Sequence, residues 1–340
     1  MTNNAIAAKA KAVYGKFLKK SDYDNLIQRN SVGAVVSYLK ATPRYKNAFI
    51  NTDETSVHRG AVEDILSEYV FKRYIRLRKF GSGKKNGVMD FYIKQTESEQ
   101  LIKAIAAIAS GTQQAYFFSL PAYLIDYLSF DPAEIGNIKD FKELSKLIEG
   151  IRMYKPLIPY LNAEKPDINK CIAVVNSCYI KWAFSAINKD YKGRKKDNLK
   201  QFFLKKTDSD NVLLCYRLKR FFDEDETRIK ELVVPFYYRI KPADIDAALS
   251  SQSPSDALLK LMNEKCVPKN ITIDEDFPEV SIMRGNYEYF RHRISLTNDE
   301  TEALFSLLVL ADNERSNIQK IVEGIRYNEN PAEIEKLIII

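Results

Sequence analysis

Residues that form tight turns are scarce in this sequence. Its 340 residues include only 12 glycines and 12 prolines. A β-sandwich or β-barrel needs many tight turns, and those turns usually need Gly, Asn or Pro. With 45% hydrophobic and 29% charged residues, the composition instead favours helices with a well-solvated surface. The chain is too long for one compact helical unit, so we expect two or three.

Residue types that bind metals are scarce as well. Only two histidines, His58 and His292, are present, and the four cysteines form no CxxC pair. A zinc site needs four such ligands at suitable spacing, so the sequence predicts no metal. We interpret the cysteines as small buried hydrophobic residues in a reducing compartment. They are Cys171, Cys178, Cys215 and Cys266.

Long apolar runs are missing. No segment approaches the roughly 20 apolar residues that a membrane-spanning helix requires. Residues 1–20 carry five lysines and lack the apolar core of a secretory signal. We therefore expect a protein that does not enter the membrane itself, although it can lie beside one. The formal net charge of +7 is modest and permits an acidic partner or a membrane surface without identifying either.

Catalytic arrangements are also lacking. Residues 81–87 (GSGKKNG) lack the GxxxxGK[ST] spacing of a phosphate loop, and we interpret them as a basic loop. The carboxylates at 223–226 are consecutive, so they form a solvated acidic turn and a poor metal site. The sequence shows no pairing of a nucleophile with a base that could activate it. The sequence predicts no catalytic residue, no cofactor and no metal site.

Apolar residues recur with helical spacing along most of the chain. Between residues 62 and 74 they fall at 62, 65, 66, 69, 70 and 74, which follows the i, i+3, i+4, i+7 pattern. Prolines and glycines separate this stripe from similar ones. The sequence therefore predicts an all-α protein. The other stripes lie at 7–18, 24–39, 101–109, 168–187, 211–222 and 318–325.

One local pattern occurs three times: an apolar run, a cap residue, an acid, two further residues, an amide and a new apolar stripe. Thr96, Thr207 and Asn313 are suitable N-caps, and acids favour the start of a helix. We therefore predict that each copy begins a new helix, with a structural role for its acid and amide. The three acid–amide pairs are Glu97 with Gln100, Asp208 with Asn211, and Glu314 with Asn317.

A weaker element also recurs, beginning at Asp24, Asp140 and Asp244, and each copy precedes one of these patterns by roughly seventy residues. A fixed period of this kind indicates repeated structural units that share their core with neighbours. We predict three helical modules at residues 1–120, 121–240 and 241–340.

The three acid–amide pairs resemble the D-x-x-N-[IL] signature of the family formed by the C-type and d-type subunits of A/V-type ATPases. The segments 9–26 and 37–45 resemble the start of that family, and 313–334 is similar to its C-terminus. The resemblance covers nearly the whole chain. Glu97 and Gln100 stand where the family has Asp and Asn, and the polar stretch 221–228 matches no family role.

The resemblance implies a funnel of three pseudo-three-fold-related modules with no active site. One copy per complex would lie on the cytoplasmic face of the membrane. It would join the rotor ring of c- or K-type subunits to the D/F-type shaft subunits and transmit torque between them, without nucleic acid as a partner.

Basic residues interleaved with aromatic ones form three clusters, each ahead of one acid–amide pair. Such clusters can bind phosphates and stack bases, so a basic helical scaffold that binds nucleic acid is the alternative function. A further interpretation of the clusters is that they are ordinary solvated helix ends. A further interpretation of the protein is that it is a generic helical scaffold. We predict that the clusters form a collar that binds an acidic partner. They are Lys72, Arg73, Arg76, Arg78, Lys79, Lys84 and Lys85; Lys192, Arg194, Lys195 and Lys196; and Arg284, Arg291 and Arg293.

Overall fold

The computed structural model describes residues 5–80 and 87–340, and every regular element in this part of the chain is a helix. The predicted all-α class is confirmed. Short 3-10 helices lie at Val88–Asp90, Ala122–Tyr127 and Arg152–Leu157. The α-helices are α1 Ala5–Tyr14, α2 Lys20–Ile27, α3 Val32–Ala41, α4 Arg59–Arg78, α5 Phe91–Ser110, α6 Gln113–Ser119, α7 Pro132–Ile135, α8 Phe141–Ile148, α9 Ile158–Leu161, α10 Ile168–Asp190, α11 Gly193–Phe222, α12 Glu226–Leu232, α13 Pro242–Leu249, α14 Pro254–Lys265, α15 Pro278–Leu296, α16 Glu300–Arg326 and α17 Pro331–Leu337.

The chain divides into two compact units. Met1–Gly83 and Glu279–Ile340 form the first, here called the terminal unit because it holds both chain ends. Lys84–Pro278 forms the second, the central unit. The three modules predicted from the sequence, with boundaries at 120 and 240, remain a prediction.

The terminal unit is built around the long helix α16, which packs against α1 and α4. Its core combines residues from both ends of the sequence: Leu26, Leu66, Ile318 and Ile334 are all buried in one cluster. The N-terminal and C-terminal segments therefore stabilise each other, since neither could bury its apolar face alone.

In the central unit, α5 packs against α10, and Leu101, Ile105 and Tyr154 belong to the buried cluster between the surrounding helices. Cys171, Cys178 and Cys215 are buried as expected, whereas Cys266 is partly exposed. Burial raises the pKa of the Cys215 thiol to about 12, so the thiolate is disfavoured at neutral pH.

The predicted helix starts at the three acid–amide pairs are wrong. Thr96, Thr207 and Asn313 lie inside the continuous helices α5, α11 and α16. An N-cap needs an extended backbone at the cap residue, and a residue inside a helix does not have one. The Thr207 hydroxyl donates instead to the carbonyl oxygen of Phe203, one turn earlier, at 2.9 Å. The acid that follows each of them inside the helix binds backbone of another chain segment instead.

The acidic stretch 223–226 forms the turn between α11 and α12. Asp223 adopts a left-handed conformation with φ 44° after the last residue of α11. Asp225 is the N-cap of α12 and accepts hydrogen bonds from the backbone N–H groups of Thr227 and Arg228. The stretch thus ends one helix and begins the next.

Candidate functional site

Each of the helices α5, α11 and α16 buries its acid–amide pair near mid-helix. The acid and the amide are three residues apart, so both project from the same helix face. All six side chains are at most 5% exposed. A buried carboxylate or amide is costly unless it is hydrogen-bonded, and the structure supplies partners from distant parts of the chain.

The pair in α11 binds the backbone that leads into α13. Asn211 exchanges two hydrogen bonds of 2.9 Å with Val234, donating from Nδ2 to the carbonyl oxygen and accepting the N–H at Oδ1. Asp208 accepts the N–H groups of Tyr238, Arg239 and Ile240 at 3.0, 2.7 and 3.1 Å. Burial raises the pKa of the Asp208 carboxyl, and the three N–H donors oppose that shift.

The pair in α16 joins the two ends of the chain. Asn317 exchanges two hydrogen bonds with Ile339 in the same way as Asn211 does with Val234. Glu314 accepts the backbone N–H of Leu18 at 2.8 Å, and it also binds Arg44 and Tyr45. These contacts hold the C-terminal residues and the segment before α2 on one helix.

The side chains around Glu314 form a buried ion-pair cluster. The Nε of Arg44 donates to Glu314, and the guanidinium lies 3.6 Å from the centre of the Phe17 ring. The Tyr45 hydroxyl donates to Oε1 of Glu314 at 2.6 Å. Burial raises the pKa of the Glu314 carboxyl, while Arg44 and the hydrogen-bond donors oppose the shift. The arrangement compensates a charge that burial alone would disfavour.

The pair in α5 is the most divergent. Glu97 accepts the backbone N–H of Ser129 at 2.6 Å and the hydroxyl of Tyr154 at 3.3 Å, and Lys94 lies 3.0 Å from its Oε1. At Gln100 the Tyr116 hydroxyl donates to the backbone carbonyl oxygen at 3.3 Å. The acid therefore keeps its contact with backbone, and the amide contact differs where the sequence has Gln in place of Asn.

The three acids bind backbone N–H groups at regular positions. Leu18 precedes α2, Ser129 precedes α7, and Ile240 precedes α13; the three are separated by 111 residues each time. The residues after Leu18 and Ile240 also agree, because the N–H groups of Lys19 and Lys241 each donate to an aspartate three residues later, at 2.7 Å. Such spacing is what a three-fold repeat would produce.

Sequence reasoning identified the acids and amides and missed their partners. Arg44 lies 270 residues from Glu314 along the chain, and Tyr154 lies 57 residues from Glu97. No local pattern connects residues so far apart. A buried arginine also looks like a surface cation in the sequence, because arginine is seldom fully buried unless it is paired.

The first basic cluster lies on the last turns of α4, except for Lys84 and Lys85, which are outside the described residues. Lys72 is exposed and pairs with Glu68 one turn earlier. Arg73 is half-buried and donates to the Tyr69 hydroxyl at 2.9 Å. The remaining members are Arg76 and Lys79, both exposed, and Arg78, half-buried.

The second cluster surrounds the start of α11. Lys192 is the N-cap residue, Arg194 and Lys195 are exposed, and Lys196 is half-buried. The Lys195 ammonium lies 4.6 Å from the centre of the Tyr191 ring. Three of the four side chains of this cluster are therefore exposed to solvent.

The third cluster lies on α15. Arg284 and Arg291 are exposed, and Arg291 lies 5.8 Å from the centre of the Tyr287 ring. Arg293 is half-buried and pairs with Glu302 of α16. Arg293 thus contributes to the fold, and the other two arginines form the exposed surface of this cluster.

The part of the chain that the structure describes contains neither a metal-binding cluster nor a membrane-spanning helix. Within 5–80 and 87–340, no group of three or more His, Cys, Asp or Glu side chains is arranged to hold a metal ion. No helix in the same ranges is long and apolar enough to cross a bilayer. The pairs and clusters above are therefore the polar features that remain to be explained.

Comparison with known proteins relates nearly the whole chain to one family. The family model described as ATP synthase (C/AC39) subunit matches residues 6–337. This range contains the three buried acid–amide pairs and all three basic clusters, and the match confirms the resemblance seen in the sequence. No curated protein matches the chain.

Proposed function

The chain belongs to the ATP synthase (C/AC39) subunit family, and we propose that it is a non-catalytic central-stalk subunit of a rotary, ion-translocating A/V-type ATPase. One copy would join the D/F-type shaft subunits of the soluble head to the membrane rotor ring of c- or K-type subunits. It would transmit torque on the cytoplasmic face of the membrane. The match over residues 6–337 is the observation that carries this proposal.

The chemistry of the buried pairs supports a structural subunit. The carboxylates of Asp208 and Glu314 are occupied by backbone N–H groups, and Glu314 also by Arg44 and Tyr45. A general acid or base needs a free path to a substrate proton. These carboxylates instead fasten chain segments to long helices, as a subunit that carries mechanical load requires.

The exposed basic residues supply a contact surface. If the three modules are equivalent, the clusters, each of which precedes an acid–amide pair in the sequence, fall on one ring, and their fields add. We assign this collar to an acidic surface on the base of the shaft or on the polar loops of the rotor ring. Each exposed pair contributes only about 0–1 kcal/mol, so the collar acts on association and orientation more than on stability.

Purification of the tagged chain from native membranes in mild detergent tests the proposal. We expect ring and shaft subunits to co-purify with it in fixed stoichiometry, and an untagged strain is the control. A chain that emerges without these subunits would contradict the proposal. Salt-dependent binding of mixed-sequence DNA or RNA in that case would support the nucleic-acid scaffold instead.

A further inference from the structure

A polar pocket opens in the terminal unit beside Glu314. Its empty volume, open solvent included, is about 540 Å³. The end of α1 and the residues after it form one wall, and α2, α15 and α16 form the others. The lining residues that matter are Tyr14, Gly15, Lys19, Tyr287, Asn313 and Glu314.

The inner wall offers one hydrogen-bond acceptor and one donor. Asn313 is 6% exposed; its Nδ2 donates to the carbonyl oxygen of Ile339 at 2.9 Å, while its buried Oδ1 has no partner among the described residues. Tyr14 and Tyr287 also line the pocket, and a tyrosine hydroxyl can donate a hydrogen bond.

The carboxylate of the inner wall is already neutralised. Glu314 binds Leu18, Arg44 and Tyr45, so its carboxylate does not present an unpaired charge to the pocket. An acceptor such as Asn313 Oδ1 would repel a phosphate or carboxylate group placed at this depth. The interior therefore suits a neutral group that both donates and accepts a hydrogen bond.

The mouth of the pocket is cationic. Lys19 lines it and is exposed. Arg291 is exposed and lies 5.8 Å from the centre of the ring of Tyr287, which lines the pocket. The nearby carboxylate of Asp22 is already bonded to the Lys19 N–H and the Tyr38 hydroxyl. Carboxylates on a ligand would therefore meet positive charge at the rim.

We infer that this pocket binds an asparagine or glutamine side chain carried by an acidic segment of a partner protein. The amide nitrogen would donate to Asn313 Oδ1, and the amide oxygen would accept a hydrogen bond from the hydroxyl of Tyr14 or Tyr287. Carboxylates on either side of the amide residue would lie against Lys19 and Arg291. The inference rests on the proposed function, since it makes the pocket an anchor for one of the ATPase subunits.

Gly15 is a position at the pocket wall where the backbone accepts a side chain. A Cβ at Gly15 would meet only the carbonyl oxygens of Lys11 and Ala12, at 3.6 and 3.8 Å, and its φ is not in the left-handed region. Gly15→Leu therefore places a side chain at the pocket wall. Gly150→Leu is the matched control, because a Cβ at Gly150 in the central unit meets nothing within 4 Å.

The probes are two fluorescein-labelled peptides, Glu-Asp-Asn-Asp-Glu and Glu-Asp-Leu-Asp-Glu, titrated with the isolated full chain and followed by fluorescence polarisation. We expect the asparagine peptide to bind about tenfold more tightly, because the leucine peptide leaves the buried polar groups unpaired. Gly15→Leu should abolish the difference, and Gly150→Leu should preserve it. Tyr14→Phe combined with Tyr287→Phe should also remove it, because no hydroxyl then donates.

Equal affinity for the two peptides, or a difference that persists in folded Gly15→Leu protein, would overturn the inference. Failure of both peptides to bind at low salt would overturn it as well. These titrations use the isolated chain, so their result is independent of the co-purification that tests the proposed function. A chain that co-purifies with the ATPase and does not distinguish the peptides refutes the pocket inference alone.

Discussion

Asn317 holds the backbone of Ile339 by two hydrogen bonds, from Nδ2 to the carbonyl oxygen at 2.7 Å and from the Ile339 N–H to Oδ1 at 3.0 Å. An amide side chain can satisfy both polar groups of one peptide residue in this way, as a neighbouring strand would. Asn211 and Val234 repeat the relationship in the central unit. Two segments without regular structure are thus fastened to long helices.

Asn317→Asp should destabilise the protein by about 2–4 kcal/mol, because the new carboxylate keeps the acceptor and faces the Ile339 carbonyl oxygen without a donor. Asn211→Asp should cost a similar amount for the same reason. Urea unfolding followed by circular dichroism measures the loss. The control is Asn47→Asp, at an exposed position, which should change stability by less than about 0.5 kcal/mol. A loss at Asn47 as large as at Asn317 would argue against the paired contact.

Arg44→Met should cost about 3–5 kcal/mol, because it leaves the buried Glu314 carboxylate without its cation. Adding Glu314→Gln should recover part of that loss, since the amide carries no charge to compensate. A double-mutant cycle by urea unfolding measures the coupling. The control is Arg59→Met, whose partly exposed pairs with Glu63 and Glu323 should each contribute less than about 1 kcal/mol. Strictly additive losses at Arg44 and Glu314 would contradict the ion pair.

Cys215 should make the protein less stable at alkaline pH. Burial raises its pKa from 9.0 to about 12, so the unfolded chain loses the thiol proton at lower pH than the folded chain does. Stability should be unaffected by this group below pH 9.0 and should fall between pH 9.0 and about 12.

The variant Cys215→Ala isolates this effect. It should be less stable than the parent at pH 7, because it leaves a cavity, and its stability should fall less steeply above pH 9.0, the ordinary thiol pKa. Urea unfolding across the pH range gives both slopes. At pH 8, iodoacetamide should modify Cys215 only after unfolding. Identical slopes for the two proteins would contradict the shifted pKa.

Charge reversal of exposed basic residues should weaken assembly and leave the fold intact. The six positions, two from each cluster, are Arg76, Lys79, Arg194, Lys195, Arg284 and Arg291. Circular dichroism should show unchanged helical content, and co-purification with ATPase subunits should fall, as it should for the parent at high salt. Arg73 and Arg293 are left unchanged because both have contacts within the fold.

The control variant reverses six exposed lysines outside the clusters: Lys46, Lys142, Lys146, Lys155, Lys165 and Lys269. It alters the net charge equally, so any difference between the variants reports position and not total charge. Equal assembly of both variants at low salt would show that the clusters are ordinary solvated surface.

The sequence predicts the three acid–amide pairs as a repeat. The helix starts that it predicts at these pairs are wrong. A cap residue followed by an acid is typical of a helix start, yet the same residue types are found where a helix binds a distant backbone. Thr207 and Asp208 have good capping chemistry, and the helix continues through them because Asp208 binds residues 238–240. Local propensity is a weak preference that tertiary contacts override.

The basic clusters illustrate a second difference. In the sequence, Arg291 and Arg293 are equivalent members of one cluster. In the structure Arg291 is exposed beside Tyr287, whereas Arg293 pairs with Glu302. Charge is visible in a sequence, and the partner that removes it from the surface is not.

The amino-acid sequence by itself determined the helical class, the three acid–amide pairs and the family, because each depends on composition, periodicity or the order of short motifs. Only the tertiary structure decided what the pairs do. Glu314 and Leu18 are 296 residues apart, and a contact across that separation depends on how every intervening helix packs. Burial then determines the chemistry: the same carboxylate that would be solvated at a helix start becomes, inside the terminal unit, the partner of Arg44.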